Sequence, residues 1–463
     1  MSDTATTFSY YGTLGQLHLR GGNLPKAEQA LWSAVRVGEV HLRSLQSDTD
    51  RLAWERDTAA VHRALVELYV QWRDATTRAL EVWEWYRALA SRRSARSPSS
   101  REGGTGESNL RTGSLPLSLV KGTLPILNHE TVVSFALLPS GVAAWAFDDR
   151  RVNFTWVAIT QDELARRVNH FAYLCSDPSS DLTKLRQEGR NLYDLLFRPF
   201  EPHLEPTRLL LIEPDSVLST VPWPALVDSR GEDLGSRFAI VVSPGLGYWR
   251  NLRSPATISS EQTALVVGMP ALAARVAARF PSLPDASREA QDIAARFRDS
   301  HLLSGKEVSA SAIRQELLRS KVFHFAGHAV SGAIESGLLL ASPDLDGNDD
   351  EPTLLSVGQL EEAVLQQLQL VVLSACATAE TEKEFTEADT LVAGFLRAGV
   401  PHVVASRWPV DSYTTQQTMT EFYAALFDGL MPAKALQQVA NRLRLKPPTT
   451  HPFYWAAFAV YGR

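Results

Sequence analysis

The chain has 463 residues, 44% apolar and 21% charged, which is the balance of a folded globular protein with room for two or three domains. A formal net charge of −6 supplies no positive field to gather nucleic acid or anionic membrane, so direct nucleic-acid binding is set aside. The two cysteines, Cys175 and Cys376, are too few for a disulfide framework or a Cys-x-x-Cys zinc site, and each is judged singly.

The N-terminus, MSDTATTFSYYG, lacks the basic and apolar regions of a signal peptide, and no apolar run reaches the roughly 20 residues of a spanning helix. The expectation is a cytoplasmic protein with no membrane partner.

From Phe8 to His41, aromatic, small and apolar residues recur at helical spacing, and Gly21-Gly22-Asn23 divides the segment into a helical hairpin. With Tyr11, Gly15, Leu17, Gly21, Ala27, Ala30 and Leu31 it resembles one tetratricopeptide repeat, a helix-turn-helix unit of about 34 residues. A second helical stretch, Asp50 to Leu89, carries Trp54, Trp72, Trp83 and Trp85, read as aromatic core of a small bundle or as a docking surface for a partner. Residues 1–90 are thus expected to form a small all-α module.

Residues 91–114 are Ser, Arg, Gly and Pro with little apolar content, which cannot offset the entropy of ordering them. A linker or exposed loop is predicted. Its arginines (Arg92, Arg93, Arg96, Arg101, Arg111) outnumber Glu102 and Glu107, so a basic contact segment is the secondary reading.

From Leu115 onward strands and helices alternate. Strands are predicted at Val132 to Leu138, Ala143 to Phe147, Leu209 to Ile212, Ala239 to Val242, Ala264 to Val267, Val322 to Phe325, Leu370 to Leu373 and Val400 to Ala405. Helices are predicted at Gln161 to Cys175, Leu182 to Leu196, Ser287 to Phe297, Leu391 to Ala398 and Thr415 to Leu426. Apolar strands spaced by helices predict an α/β fold with a mainly parallel sheet covered on both faces.

In such sheets reactive groups gather at the carboxyl ends of strands. Val322-Phe323-His324-Phe325-Ala326-Gly327-His328 reads as a strand running into a small-residue turn that holds His328 at its exit. Leu370-Val371-Val372-Leu373-Ser374-Ala375-Cys376 reads as an apolar strand delivering Cys376 into the next loop. A thiol with pKa about 8.5 needs a base near neutral pH, and an imidazole within reach supplies one. Taken alone, each residue also fits a structural role, a small buried hydrophobe or a satisfied histidine.

His324 and His328 stand four apart, but no third ligand follows at usable spacing, so no metal is implied and His324 is read as structural. Cys175 falls in a helical pattern without a base-bearing turn and is read as core. Gly305-Lys306-Glu307 fails as a phosphate loop, Gly245-Leu246-Gly247 lacks a third glycine, and no Gly-x-Ser-x-Gly elbow occurs. No cofactor is expected.

Five ordered blocks, VFHFAGHAVSG, LVVLSACATAE, LVAGFLRAGVPHVVASRWPVDS, EFYAALFDG and HPFYWAAFAVYG, with Val221-Pro222-Trp223-Pro224-Ala225-Leu226 before them, closely resemble the CHAT-domain family, which belongs with caspases and separases. The resemblance runs from Leu115 to Arg463. It implies a caspase-like mainly parallel sheet flanked by helices, divided into an inactive, pseudo-caspase half at 115–255 and an active half at 259–463. It further implies a cysteine endopeptidase with His328 as base and Cys376 as nucleophile. The oxyanion would be held by the backbone N–H groups of Ala329 and Cys376. Many relatives have Gly where Ala329 stands, and Ala there would cost about 1 kcal/mol if the position required positive φ.

The resemblance also points to Ser406-Arg407-Trp408-Pro409-Val410-Asp411-Ser412 as the first specificity pocket, with Trp408 as a flat apolar wall. Relatives often carry two acids at its end; here only Asp411 remains, equally readable as a helix N-cap. Glu380, Glu382, Glu384, Glu387 and Asp389 repel one another in 378–389, which predicts a loop that orders or is cut on activation. Helical modules before such domains suggest regulated cleavage of one protein partner, with an activating partner at the module. The setting would be prokaryotic defence or cell death, the substrate a neighbouring-gene product such as a gasdermin-like pore former.

Two rival readings stand beside this one. The first is a noncatalytic scaffold or signalling adaptor that keeps the dyad as a relic. The second is a cysteine amidohydrolase acting on a small molecule, which the long loops 344–353 and 378–389 suit less well than an open cleft for polypeptide.

Overall fold

The computed structural model describes residues 4–45, 48–71, 75–89, 119–249, 257–280, 283–331, 336–346, 351–360, 365–377, 391–409 and 411–463. The linker expected at 91–114 and the acidic loop expected at 378–389 lie outside these residues. By internal contacts the chain divides into two compact units, one of Met1–Gln161 with Pro244–Asn251 and one of Asp162–Ser243 with Leu252–Arg463.

The first unit opens with the helical hairpin expected from its glycines. Helices α1 (Thr4–Arg20) and α2 (Leu24–Ser44) flank Gly22, whose φ of 71° favours glycine, and the Asn23 side chain caps α2 by accepting from the Lys26 N–H. This is the helix-turn-helix expected from the sequence. Helices α3 (Asp48–Gln71) and α4 (Thr76–Arg87) follow. Strands β1 (Glu130–Leu138), β2 (Gly141–Phe147) and β3 (Val152–Val157) form an antiparallel meander, with Leu138 opposite Gly141 at the first turn.

Two buried carboxylates on α4 hold this unit together. Glu84 accepts from the Ser134 hydroxyl on β1 and from the Leu246 N–H, and Glu81 accepts from the N–H groups of Val120 and Lys121. Each charge is thereby stabilised by donors in place of water.

The second unit carries the remaining strands. They are β4 (Leu209–Glu213), β5 (Ile240–Val242), β6 (Ala264–Pro270), β7 (Ser300–Gly305), β8 (Val322–Ser331), β9 (Ser336–Leu339), β10 (Leu354–Leu355), β11 (Leu370–Ala377), β12 (His402–Ser406) and β13 (Phe458–Gly462). Its principal helices are α5 (Gln161–Ser176), α6 (Leu182–Leu196), α7 (Ala286–Ala294), α8 (Ala310–Leu317), α9 (Leu391–Arg397), α10 (Ser412–Phe427) and α11 (Pro432–Leu443). Strands β7, β6, β8, β11 and β12 lie side by side and parallel. Then β13 pairs antiparallel with β12 and parallel with β5, and β5 pairs parallel with β4.

Leu370, Val371 and Val372 are fully buried, as a strand covered on both faces requires. Phe323 meets Phe395 of α9 at 6.2 Å between ring centroids, while His324, its neighbour on the opposite face, meets Tyr423 of α10. Alternation along β8 thus separates the two helical layers. Edge strands β3 and β7 escaped the sequence pattern because VNFTWV and SHLLSG stay half-exposed and need no apolar run.

Two expectations are corrected. Cys376 is not in the loop after its strand but within β11, whose pairing with β8 continues to Ala377. His328 does not stand at a turn after its strand: β8 continues to Ser331, because β9 folds back and pairs Ala329 with Leu338, Val330 with Gly337 and Ser331 with Ser336. The antiparallel partner supplies the ladder bonds that keep the backbone extended past His328.

His402 opens β12 and is almost fully buried; that burial, reinforced by the Arg463 charge, lowers its pKa to about 4. Between about pH 6.5 and pH 4 the unfolded chain therefore protonates His402 while the folded chain does not, so stability falls as pH falls through this window. The loss approaches about 3 kcal/mol. Denaturant unfolding of wild type and His402→Asn at pH 7 and pH 4 measures it: the wild type is expected to lose about 3 kcal/mol more than the variant over that interval.

Candidate active site

Strands β8 and β11 are joined by an unbroken parallel ladder of eight register pairs, from Val322 with Leu370 to Ala329 with Ala377. The seventh pair is His328 with Cys376. Adjacent strands lie about 4.8 Å apart, so the two residues are backbone neighbours at the carboxyl ends of both strands. Residues 48 apart in sequence meet because two buried apolar strands share one register.

His328 is 1% exposed, and its ring faces Phe280 at 5.3 Å between centroids with the planes 46° apart. Phe280 belongs to a buried apolar cluster with Ala273, Val276 and Leu339, against which Leu272, Val330 and Leu354 also pack. The segment after β6 therefore covers the imidazole. Ala329, also buried, stands between Ala377 and Leu338 in the sheet and has no positive φ, so the strain an alanine would suffer in the left-handed region does not arise.

The turn after β12 places the other expected residues. Trp408 is buried and its indole N–H donates to the Phe453 carbonyl at 3.0 Å. The Asp411 carboxylate accepts from the Thr414 N–H at 3.0 Å and caps α10. Ser412 donates its hydroxyl to Asp285, just before α7, at 2.6 Å. Arg407 turns away, donating to the Ser219 carbonyl and lying over the Tyr461 ring.

His324 is a structural histidine: it is fully buried, with Nε2 3.0 Å from Glu289 and Nδ1 3.2 Å from the Tyr423 hydroxyl. Burial, then the Glu289 charge, raises the Tyr423 pKa well above the ordinary phenol value. Cys175 is fully buried in α5, and desolvation raises its thiol pKa, which suits packing and opposes nucleophilicity. Among the described residues no group of three His, Cys, Asp or Glu side chains could hold a metal ion.

Sequence reasoning missed Phe280, Glu289 and Tyr423, whose link to the site exists only in space. It also missed a Ser180 and His451 pair, 3.0 Å apart, that has the look of a nucleophile and base. The polarity is wrong for that chemistry. His451 Nδ1 accepts from the Phe453 N–H, so the neutral ring carries its proton on Nε2 and donates to Ser180, whose hydroxyl donates in turn to the Leu174 carbonyl. An apolar cleft lined by Trp223, Phe238, Gln437 and Trp455 includes neither His328 nor Cys376.

Comparison with known proteins places this geometry. The CHAT domain model matches residues 186–463. Human tetratricopeptide repeat protein 28 is 25% identical over 326 residues, which is 59% of this chain and 13% of that protein. Separase of Saccharomyces cerevisiae, in its complex with securin, superposes with a TM-score of 0.54 over 95% of this chain and 37% of separase, at 10% identity. A second structure of the complex gives 0.47 over 99% of this chain and 40% of separase, also at 10% identity. The chain thus spans only a minor part of either relative. At such identity the separase likeness is one of fold alone, a mainly parallel sheet between helical layers. The match over more than half its length establishes that the chain belongs to the CHAT-domain family.

Proposed function

We propose that the protein is a cysteine endopeptidase with Cys376 as nucleophile and His328 as general base. The observation that carries this reading is the register pair His328 with Cys376 at the ends of two adjacent parallel strands. Register partners share a face of the sheet, which suits proton exchange between the two groups.

In the proposed reaction His328 takes the thiol proton as sulfur bonds to the scissile carbonyl carbon. The N–H groups of Cys376 and Ala329 stabilise the oxyanion. The C–N bond then breaks as the imidazolium returns the proton to the leaving amine, and water, deprotonated by His328, releases the acyl group.

The 1% exposure of His328 supports a resting state, since an amide must approach within about 3 Å of the imidazole for proton transfer. We infer that a partner acting through the helical module opens the cover, and that the substrate is one specific protein, for example the product of a neighbouring gene such as a gasdermin-like pore former in a defence or cell-death system.

Incubation with candidate substrate proteins tests the reading: Cys376→Ala is expected to lower cleavage by more than about 10⁴-fold. A thiol-reactive peptide probe should label the wild type at Cys376 and fail on His328→Ala; equal labelling of both identifies a scaffold without catalysis.

Asp411 has a cap role in hand and a substrate role in prospect. Asp411→Ala is expected to lower unfolding free energy by about 1 kcal/mol through the lost cap, with Asp411→Ser retaining most of it. On peptides varied at the residue before the scissile bond, unchanged specificity in Asp411→Ala removes the substrate role.

A further inference from the structure

A fully bonded buried polar cluster near the site contains neither residue of the proposed dyad. His324 stands four residues before His328 on β8, on the same face, and is bonded on both sides of its ring. Its Nε2 meets Glu289 in α7 and its Nδ1 meets Tyr423 in α10; all three residues are buried. A single neutral tautomer satisfies the set: Nε2–H donates to the carboxylate, and the phenol donates to Nδ1. Tyr423 keeps its proton because burial raises its pKa, so this donor persists at working pH.

The two helices are those that begin where the candidate substrate-flanking segments end. Helix α7 follows the segment that holds Phe280 against His328, and α10 follows the turn bearing Trp408 and Asp411. The same helices are joined again by Ser412 to Asp285 and by Gln416 to Asp292, and Phe297 packs its edge on Tyr423 and Phe427. An apolar trio could fill the position of His324, Glu289 and Tyr423 without the cost of desolvating a carboxylate. What it would lack is direction, because hydrogen bonds fix the angle and height of each helix against β8 while apolar contacts permit sliding.

We infer that His324 is a positioning residue, a strut that sets the segment bearing Phe280 and the turn bearing Trp408 relative to the strand bearing His328. This rests on the proposed dyad for its catalytic consequence, though its structural consequence is measurable without it.

The test compares wild type, His324→Leu, His324→Gln and Tyr423→Phe in the full chain by two readouts. In hydrogen exchange, His324→Leu is expected to speed exchange about tenfold or more in both 271–280 and 404–409, with the β1–β2 amides unchanged. In peptide cleavage, KM is expected to rise about tenfold with kcat within about twofold of wild type, because substrate placement and not the thiol is affected. A mere loss of folded enzyme would lower kcat and leave KM alone. His324→Gln, whose amide offers one donor and one acceptor, is expected to recover most of the loss.

Unchanged exchange in both segments overturns the strut, whatever the activity. Should His324→Leu fail to fold, Tyr423→Phe decides, since it removes one hydroxyl: exchange in 404–409 is expected to rise about threefold or more, and no rise overturns the inference. Absence of wild-type cleavage and Cys376 labelling without the activating partner is the outcome expected of the resting state, and the exchange readout then decides the strut by itself.

Discussion

The structure depends on the parallel ladder between β8 and β11. Two strands with no polar side chain on one face have few ways to satisfy their backbone groups except by pairing along their length, and here they pair without interruption from Val322 and Leu370 onward. Both faces are buried, so apolar burial alone does not choose the register; a slip of one residue would turn His324 away from Glu289 and Tyr423, and those bonds distinguish the faces of β8. The same register sets His328 beside Cys376. Packing energy and those bonds together thus fix which backbone positions on the two strands stand side by side.

Each unit also holds buried polar groups in fully bonded sets. Glu84 and Glu81 bind backbone N–H groups and a hydroxyl in the first unit, and His324 joins Glu289 to Tyr423 in the second. Each costs desolvation and returns a fixed geometry, which apolar contact alone does not provide. Phe280 adds an apolar contact. It packs on the buried His328 ring and joins it to the apolar cluster that includes Val276 and Leu339.

Much of this was legible in the residues. Leu370 to Leu373 reads as a buried strand because nothing in it tolerates water, and Gly21-Gly22-Asn23 reads as a turn because Gly22 alone adopts φ of 71° there without strain. Helix α6 was predicted from Leu182 to Leu196, as found, since its apolar stripe repeats at helical spacing. The edge strands β3 and β7 were not legible, because half-exposed strands carry no continuous apolar run. The extension of β8 past His328 was also hidden, since it depends on β9, whose pairing is a long-range event with no local signal.

By itself the sequence determined the local chemistry: which strands are buried, which of them carry an imidazole and a thiol, and that Asp411 precedes a helix it caps. Only the tertiary structure decided what these groups meet. Glu289 and Tyr423 are 35 and 99 residues from His324, and Phe280 is 48 residues from the ring it covers. Periodicity and propensity act over one or two turns of chain, whereas these contacts are set by sheet order, register and helix packing, which are collective properties of the folded chain.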